Sequence, residues 1–274
     1  MSNNLRRILT ALVAAPLLVG VAYVGGWWFA ATVTAIGLGA QDELYGMAEA
    51  DGAAPNRWIG FGLGVLLVAA TLWPPALALA GALLVVGLVA APFILPQLHF
   101  LLSLSSTLVG ALYPTGLLGA LVLLREARGP LVDSLTAFWL VLLTFFVVWA
   151  TDVFAYYVGR ALGRHKMAPV ISPNKTWEGA IGGATAAVLI TVAFKLTVLD
   201  VLAWPHALAV GLIGGVLSQI GDLTESQIKR STGVKDASSL LPGHGGLLDR
   251  FDSMVVAAPL VYLYLRWVAS LVGG

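Results

Sequence analysis

Apolar residues run along this chain in long blocks, broken by short clusters of glycine, proline and charge. A block of ~20 apolar residues is what a helix needs to cross the hydrocarbon of a bilayer. The breaks predict nine helices, near residues 7–24, 27–45, 58–73, 75–95, 101–124, 134–162, 177–198, 203–230 and 252–272. The third is short and the fourth is flanked by Trp73-Pro74-Pro75 and Pro92, so half-spans are an alternative there. The first block follows Arg6 and Arg7 and has the layout of a signal peptide. Further spans follow it and no convincing cleavage site does, so it reads as a first transmembrane helix. The expected fold class is an all-α polytopic membrane protein of about nine transmembrane helices, with a polar cavity at the cytoplasmic side of its C-terminal half.

Composition agrees: 59% of the 274 residues are hydrophobic and 11% charged, with a mean hydropathy of +0.90. No soluble domain is evident. A net charge of +1 says little about partners, since opposite charges nearly cancel, and no nucleic-acid partner is expected; the lack of cysteine excludes disulfides and thiolate metal sites. His99, His165, His206 and His244 lack zinc-like spacing, and neither a P-loop nor a G-x-G-x-x-G follows a strand. Residues 150–252 hold nine of the 15 Lys and Arg and eight of the 14 Asp and Glu. Residues 1–133 therefore read as a transmembrane scaffold and dimer-contact region, and 134–274 as the catalytic region of one integrated membrane domain. The positive-inside rule puts Arg6, Arg7, Arg57 and the loops at 160–175 and 229–250 in the cytoplasm, with Arg125 and Arg128 counting against the scheme.

The densest chemistry lies in GDLTESQIKRSTGVKDASSLLPGHGGLLDRFD, Gly221 to Asp252. On a helix Asp222, Glu225 or Ser226, and Lys229 share one face, and so do Asp249 and Asp252. In PGHGG, the absence of side chains would let backbone N–H groups approach an anion. Acidic groups for a metal, basic groups for phosphates and a glycine loop together suggest phosphoryl or nucleotidyl transfer with a divalent cation. A solvated loop between helices is the bland alternative, and the carboxylate and glycine spacing is too particular for it.

The pattern S-x-x-K-R-x4-K-D-x5-P-G-H-G-G-x-x-D-R-x-D, from Ser226 to Asp252, resembles the signature of the CDP-diacylglycerol synthases, or phosphatidate cytidylyltransferases. A second element, Ser172-Pro173-Asn174-Lys175-Thr176-Trp177-Glu178-Gly179, is similar to the S-P-x-K-T-x-E-G run of the same family. Asn174 and Val153 depart from residues common there. On its own chemistry the run begins the next helix, with Ser or Asn as N-cap and Glu178 in the first turn. Lys175 and Thr176 beside His165 and Lys166 make that end a natural phosphate site. Upstream, Asp152, Tyr156 and Arg160 form one polar stripe on an apolar helix. A lone intramembrane carboxylate costs ~2.5–3.5 kcal/mol, so Asp152 either pairs with Arg160 or Lys166 or lines a hydrated cavity.

The resemblance implies cytidylyl transfer from CTP to phosphatidic acid, giving CDP-diacylglycerol and pyrophosphate, by an integral protein of a prokaryotic-type inner membrane working at the cytoplasmic face. It implies magnesium, suggests potassium as an additional monovalent cation, and implies a homodimer. Asp222, Asp249, Lys229 and Arg250 are expected to carry the catalysis. Substrate contacts are expected from Lys175, Thr176, Ser226, Arg230, Lys235, Asp236, His244, Gly245 and Gly246. For His244, phosphate contact and turn orientation stay equally open. Asp222 and Asp249 are expected on magnesium, supported by Asp252 and Asp152. A CTP-dependent lipid kinase and a transporter are rivals. Transport sites tend to the bilayer midplane, whereas these charges gather at one face, and only the full signature separates the transferase from the kinase. Gln41, Asp42 and Glu43, ending the second helix, read as boundary residues rather than a polar cavity. Glu43 is the one to test, because the resembling family often carries a glutamate near this point.

Overall fold

The computed structural model describes residues 3–234, 237–238 and 245–272. Its helices are α1 (Asn3–Val24), α2 (Gly26–Ala50), α3 (Arg57–Ala69), α4 (Pro75–Ile94), α5 (Phe100–Gly110), α6 (Leu117–Arg125), α7 (Ser134–Leu162), α8 (Trp177–Thr197), α9 (Trp204–Ser231) and α10 (Leu248–Trp267). A π-helical turn, Ala111–Gly116, joins α5 to α6. Each of the nine expected segments is helical, and five helical runs among the described residues are long and apolar enough to cross a membrane: Pro75–Ile94, Phe100–Arg125, Ser134–Leu162, Trp177–Thr197 and Trp204–Ser231. At 13 residues, α3 spans only about 20 Å at ~1.5 Å per residue, which suits the half-span alternative.

The helix expected at 177–198 is α8, with Glu178 in its first turn, but one expectation is corrected: neither Ser172 nor Asn174 caps it, because Ser172–Thr176 (β2) pairs antiparallel with Lys166–Ala168 (β1). Pro173 disfavours helical dihedrals at Ser172, and the run stays extended to Thr176 (φ −129°, ψ 152°). The N-cap of α8 is therefore Thr176, whose Oγ accepts from Gly179 N at 3.2 Å. The fold is all-helical but for this hairpin among its described residues.

By contacts the chain divides into two compact units, Met1–Val122 with Ile228–Phe251, and Leu123–Gln227 with Asp252–Gly274. In the first, α2, α3 and the α5–π segment close around a buried polar chain. Thr115 Oγ1 donates to Gln41 Oε1 (2.7 Å), Gln41 Nε2 to Tyr45 Oη (2.7 Å), and Tyr45 Oη to the Thr107 carbonyl (2.8 Å). Pro114 lies within the π turn. Its missing N–H and its ring are incompatible with regular α bonding, which explains why the helix widens there.

In the second unit α7 packs along α8 through small residues. A Cβ on Gly183 would come within 2.7 Å of the Thr151 carbonyl, and one on Gly179 within 2.6 Å of the Ala155 carbonyl. Such contact is how membrane helices approach closely, and it fixes the stripe at 152–160 against β2 and the start of α8. Asp133 caps α7, accepting from the Thr136 hydroxyl (2.6 Å) and N–H (2.7 Å); the hydroxyl bond first, then the N–H, holds its carboxyl below the ordinary range. Arg125, only 4% exposed, reaches Ser134 Oγ at 3.3 Å, and Arg128 donates to the Ala127 carbonyl at 2.8 Å. Both arginines are thus engaged within their own segment.

Candidate active site

The second unit contains a cavity of about 480 Å³, within the range of small-molecule sites. The α7 stripe contributes Asp152, Tyr156 and Arg160, the hairpin Lys166, Asn174, Lys175 and Thr176, and α9 Gln219 and Asp222. The two motifs, far apart in sequence, therefore meet here. Lys175 Nζ lies 2.7 Å from Asp222 Oδ2, and Ser226 Oγ donates to Asp222 Oδ1 at 3.3 Å. Thr176 spends one acceptor lone pair on the α8 cap and keeps its O–H as a donor. Arg160 donates to Tyr156 Oη at 3.2 Å, and His165 Nδ1 stands 2.6 Å from Glu178 Oε1. Glu178 also accepts from His165 N, closing the hairpin onto the first turn of α8.

Close to Asp222 lie two further acidic side chains, Glu225, fully buried, and Asp252, 8% exposed. Gln219 is a lining residue that motif reasoning did not single out, while Arg160, Lys166 and Glu225 were noted on their helix faces and loop without a named substrate role. For Glu225 the signal was present, one turn after Asp222 on the same helix face. Magnesium takes oxygen ligands, keeps several waters, and needs only one or two carboxylates beside substrate phosphates. Asp222 on the cavity wall with Asp252 behind it fits that chemistry. Among the described residues no group of three or more His, Asp or Glu is arranged to hold a metal by itself.

The first unit holds the other end of the long motif. Lys229 Nζ, near the end of α9, donates to Asp249 Oδ1 at 2.6 Å. The second oxygen of Asp249 accepts from Gly246 N (2.9 Å) and Ala237 N (3.2 Å). Arg230 and Arg250 are exposed in the last turn of α9 and the first turn of α10. The expected contacts of Lys235, Asp236 and His244 lie outside the described residues. Gly245 has φ +78°, and a Cβ there would meet Asp249 Oδ2 at 2.9 Å. Gly246 faces the carboxylate of Glu43 more closely still.

Glu43 corrects the boundary reading. It is 7% exposed and accepts hydrogen bonds from Ser238 Oγ (2.6 Å), Leu247 N (2.9 Å) and Leu248 N (2.8 Å). Gln41 is also buried, in the polar chain of the core. Only Asp42 stays outside, paired with Arg57, which also grips Glu49 at 3.0 Å.

The chain matches the profile of the cytidylyltransferase family over residues 5–268. It is 41% identical over 272 residues to a phosphatidate cytidylyltransferase of Brucella abortus biovar 1 (strain 9-941), covering 96% of this chain and 94% of that one. A phosphatidate cytidylyltransferase of Synechocystis is 32% identical, covering 95% and 96%. One from Bacillus subtilis is 45% identical over 119 residues, covering 43% and 44%.

Proposed function

The chain belongs to the cytidylyltransferase family, and from that premise we propose how its residues divide the transfer of a cytidylyl group from CTP to phosphatidic acid, which yields CDP-diacylglycerol and pyrophosphate. The observation that carries this division is the cavity in which Lys175 and Asp222 stand as a pair beside Arg160, Lys166 and Thr176. A phosphate oxygen of phosphatidic acid, already ionised, attacks the α-phosphorus of CTP, and the bond to the β-phosphate oxygen breaks. No general base is needed. The work left to the protein is alignment and neutralisation of charge.

Lys175, Lys166 and Arg160 meet the phosphates in this scheme, and the Thr176 O–H donates to one of their oxygens. Lys229, Arg230 and Arg250 of the long motif supply further cationic contacts, with Lys235 expected to add another. Asp222, with Asp252 in support, is the proposed holder of magnesium. Magnesium, when bound, would neutralise phosphate charge and favour departure of pyrophosphate. While Lys175 holds Asp222 the carboxylate stays neutralised, and arrival of phosphates gives the lysine a second partner. An ionised lipid head and a soluble polyanion meet most readily at a membrane boundary, so we assign the site to the cytoplasmic face of the inner membrane. The homodimer contact is assigned to the N-terminal helices, a reading supported by the largely uncovered surface of α4.

Purified protein in detergent, given CTP, phosphatidic acid and magnesium, is expected to release CDP-diacylglycerol and pyrophosphate in equal amounts. CDP together with a doubly phosphorylated lipid would instead establish the kinase. Asp222→Asn, which keeps shape and removes charge, is expected to lower turnover by about 10²–10³-fold while elution from gel filtration stays unchanged. Normal turnover in that variant with magnesium limiting would move the metal away from Asp222.

A further inference from the structure

We propose that Glu43 is a positioning residue for this reaction: its carboxylate, delivered by α2, ties the two ends of the motif loop together and sets the first turn of α10. The inference rests on the transfer reaction proposed above, and every residue it uses belongs to the first compact unit. Ser238 stands at the entry of the loop and Leu247 and Leu248 at its exit, and one carboxylate accepts from all three. Asp249 repeats the device, accepting from Ala237 at the entry and Gly246 at the exit. Two carboxylates thus clasp both ends of the loop.

A helix start has unpaired N–H groups and attracts anions. At α10 the protein's own carboxylates take those groups, so this start is not a free phosphate seat. Its role is to aim what the first turn carries, Asp249 and Arg250. Asp249 is tightly specified as a result. A carboxylate has about four lone-pair positions, and Lys229, Gly246 and Ala237 occupy three. Gly246 has no room for a side chain because Glu43 fills it. Loss of the Glu43 charge frees Ser238 and two amides together, and Gly246, which lies against Glu43 and donates to Asp249, loses its support.

Wild-type protein, Glu43→Gln, Ser238→Ala and Gly246→Ala are compared for kcat, KM for CTP and melting temperature. A displacement of reacting groups by ~1 Å costs about 10²-fold, so Glu43→Gln is expected to lose about 30–100-fold in kcat, with KM for CTP changing less than threefold. Gly246→Ala leaves Glu43 intact but displaces it, and its kcat is expected to fall in the same direction. Ser238→Ala, which removes one contact and no charge, is expected to lose about threefold to tenfold. Losses in Glu43→Gln and Ser238→Ala are expected to be less than additive in the double variant, because one carboxylate carries both. A purely structural role predicts a lower melting temperature with wild-type kcat in the folded fraction, and that result overturns the proposal. Should Glu43→Gln fail to fold, wild-type kcat in both Ser238→Ala and Gly246→Ala overturns it equally. Absence of CDP-diacylglycerol formation by the wild-type protein would instead strike the reaction itself.

Discussion

Lys175 and Lys229 do the same thing in different surroundings: each holds an aspartate of the long motif, at 2.7 and 2.6 Å. Breaking such a partly buried pair from one side leaves the other charge uncompensated. Lys175→Met is therefore expected to lower kcat/KM by about 10²–10³-fold, and steady-state assays against CTP check it. Lys175→Arg keeps the charge but brings a planar fork to a point contact, so it is expected to recover only part of the loss. Most residues in these pairs were legible, because carboxylates and lysines at helical spacing in an apolar chain demand a partner. Glu43 was not, since a glutamate at the end of an apolar helix has the same local pattern whether it reaches solvent or a loop 204 residues away.

Among the elements, the helices were readable from their apolar blocks, and the short α3 announced itself by length. The hairpin was missed because strands of three and five residues carry too little alternation to register. A Ser-Pro-Asn run before Lys-Thr-x-Glu also has the chemistry of a helix start. The helix does start there, at Trp177 as its apolar block indicated, but its cap is Thr176 rather than Ser172 or Asn174. The contact between α7 and α8 is the element on which the cavity depends. Gly183→Val would drive methyl groups into the Thr151 carbonyl. It is expected to destabilise the protein by about 1–3 kcal/mol, the usual cost of overpacking, and to reduce activity with it. Thermal unfolding in detergent measures this. Gly81→Ala, on α4 with nothing within 4 Å of the added atom, is the neutral control.

For the whole molecule, the placement of basic residues predicts which loops face the cytoplasm. The chain has no cysteine, so single cysteines report without background. An impermeant thiol reagent added to intact cells is expected to spare His165→Cys and Thr232→Cys and to label Leu131→Cys; the reverse pattern would invert the topology. The path of the chain through its two units has a further consequence, in time rather than in space. The first unit waits for residues 228–251 to complete it, and these emerge only after 123–227. Glu43 and its partner amide at Leu247 are 204 residues apart, and at ~5–20 residues per second the ribosome needs about 10–40 s to join them. For that interval the growing protein carries an acid with no loop to close, so the clasp is among the later contacts made in its biosynthesis, and a chain released before Leu247 emerges would lack it.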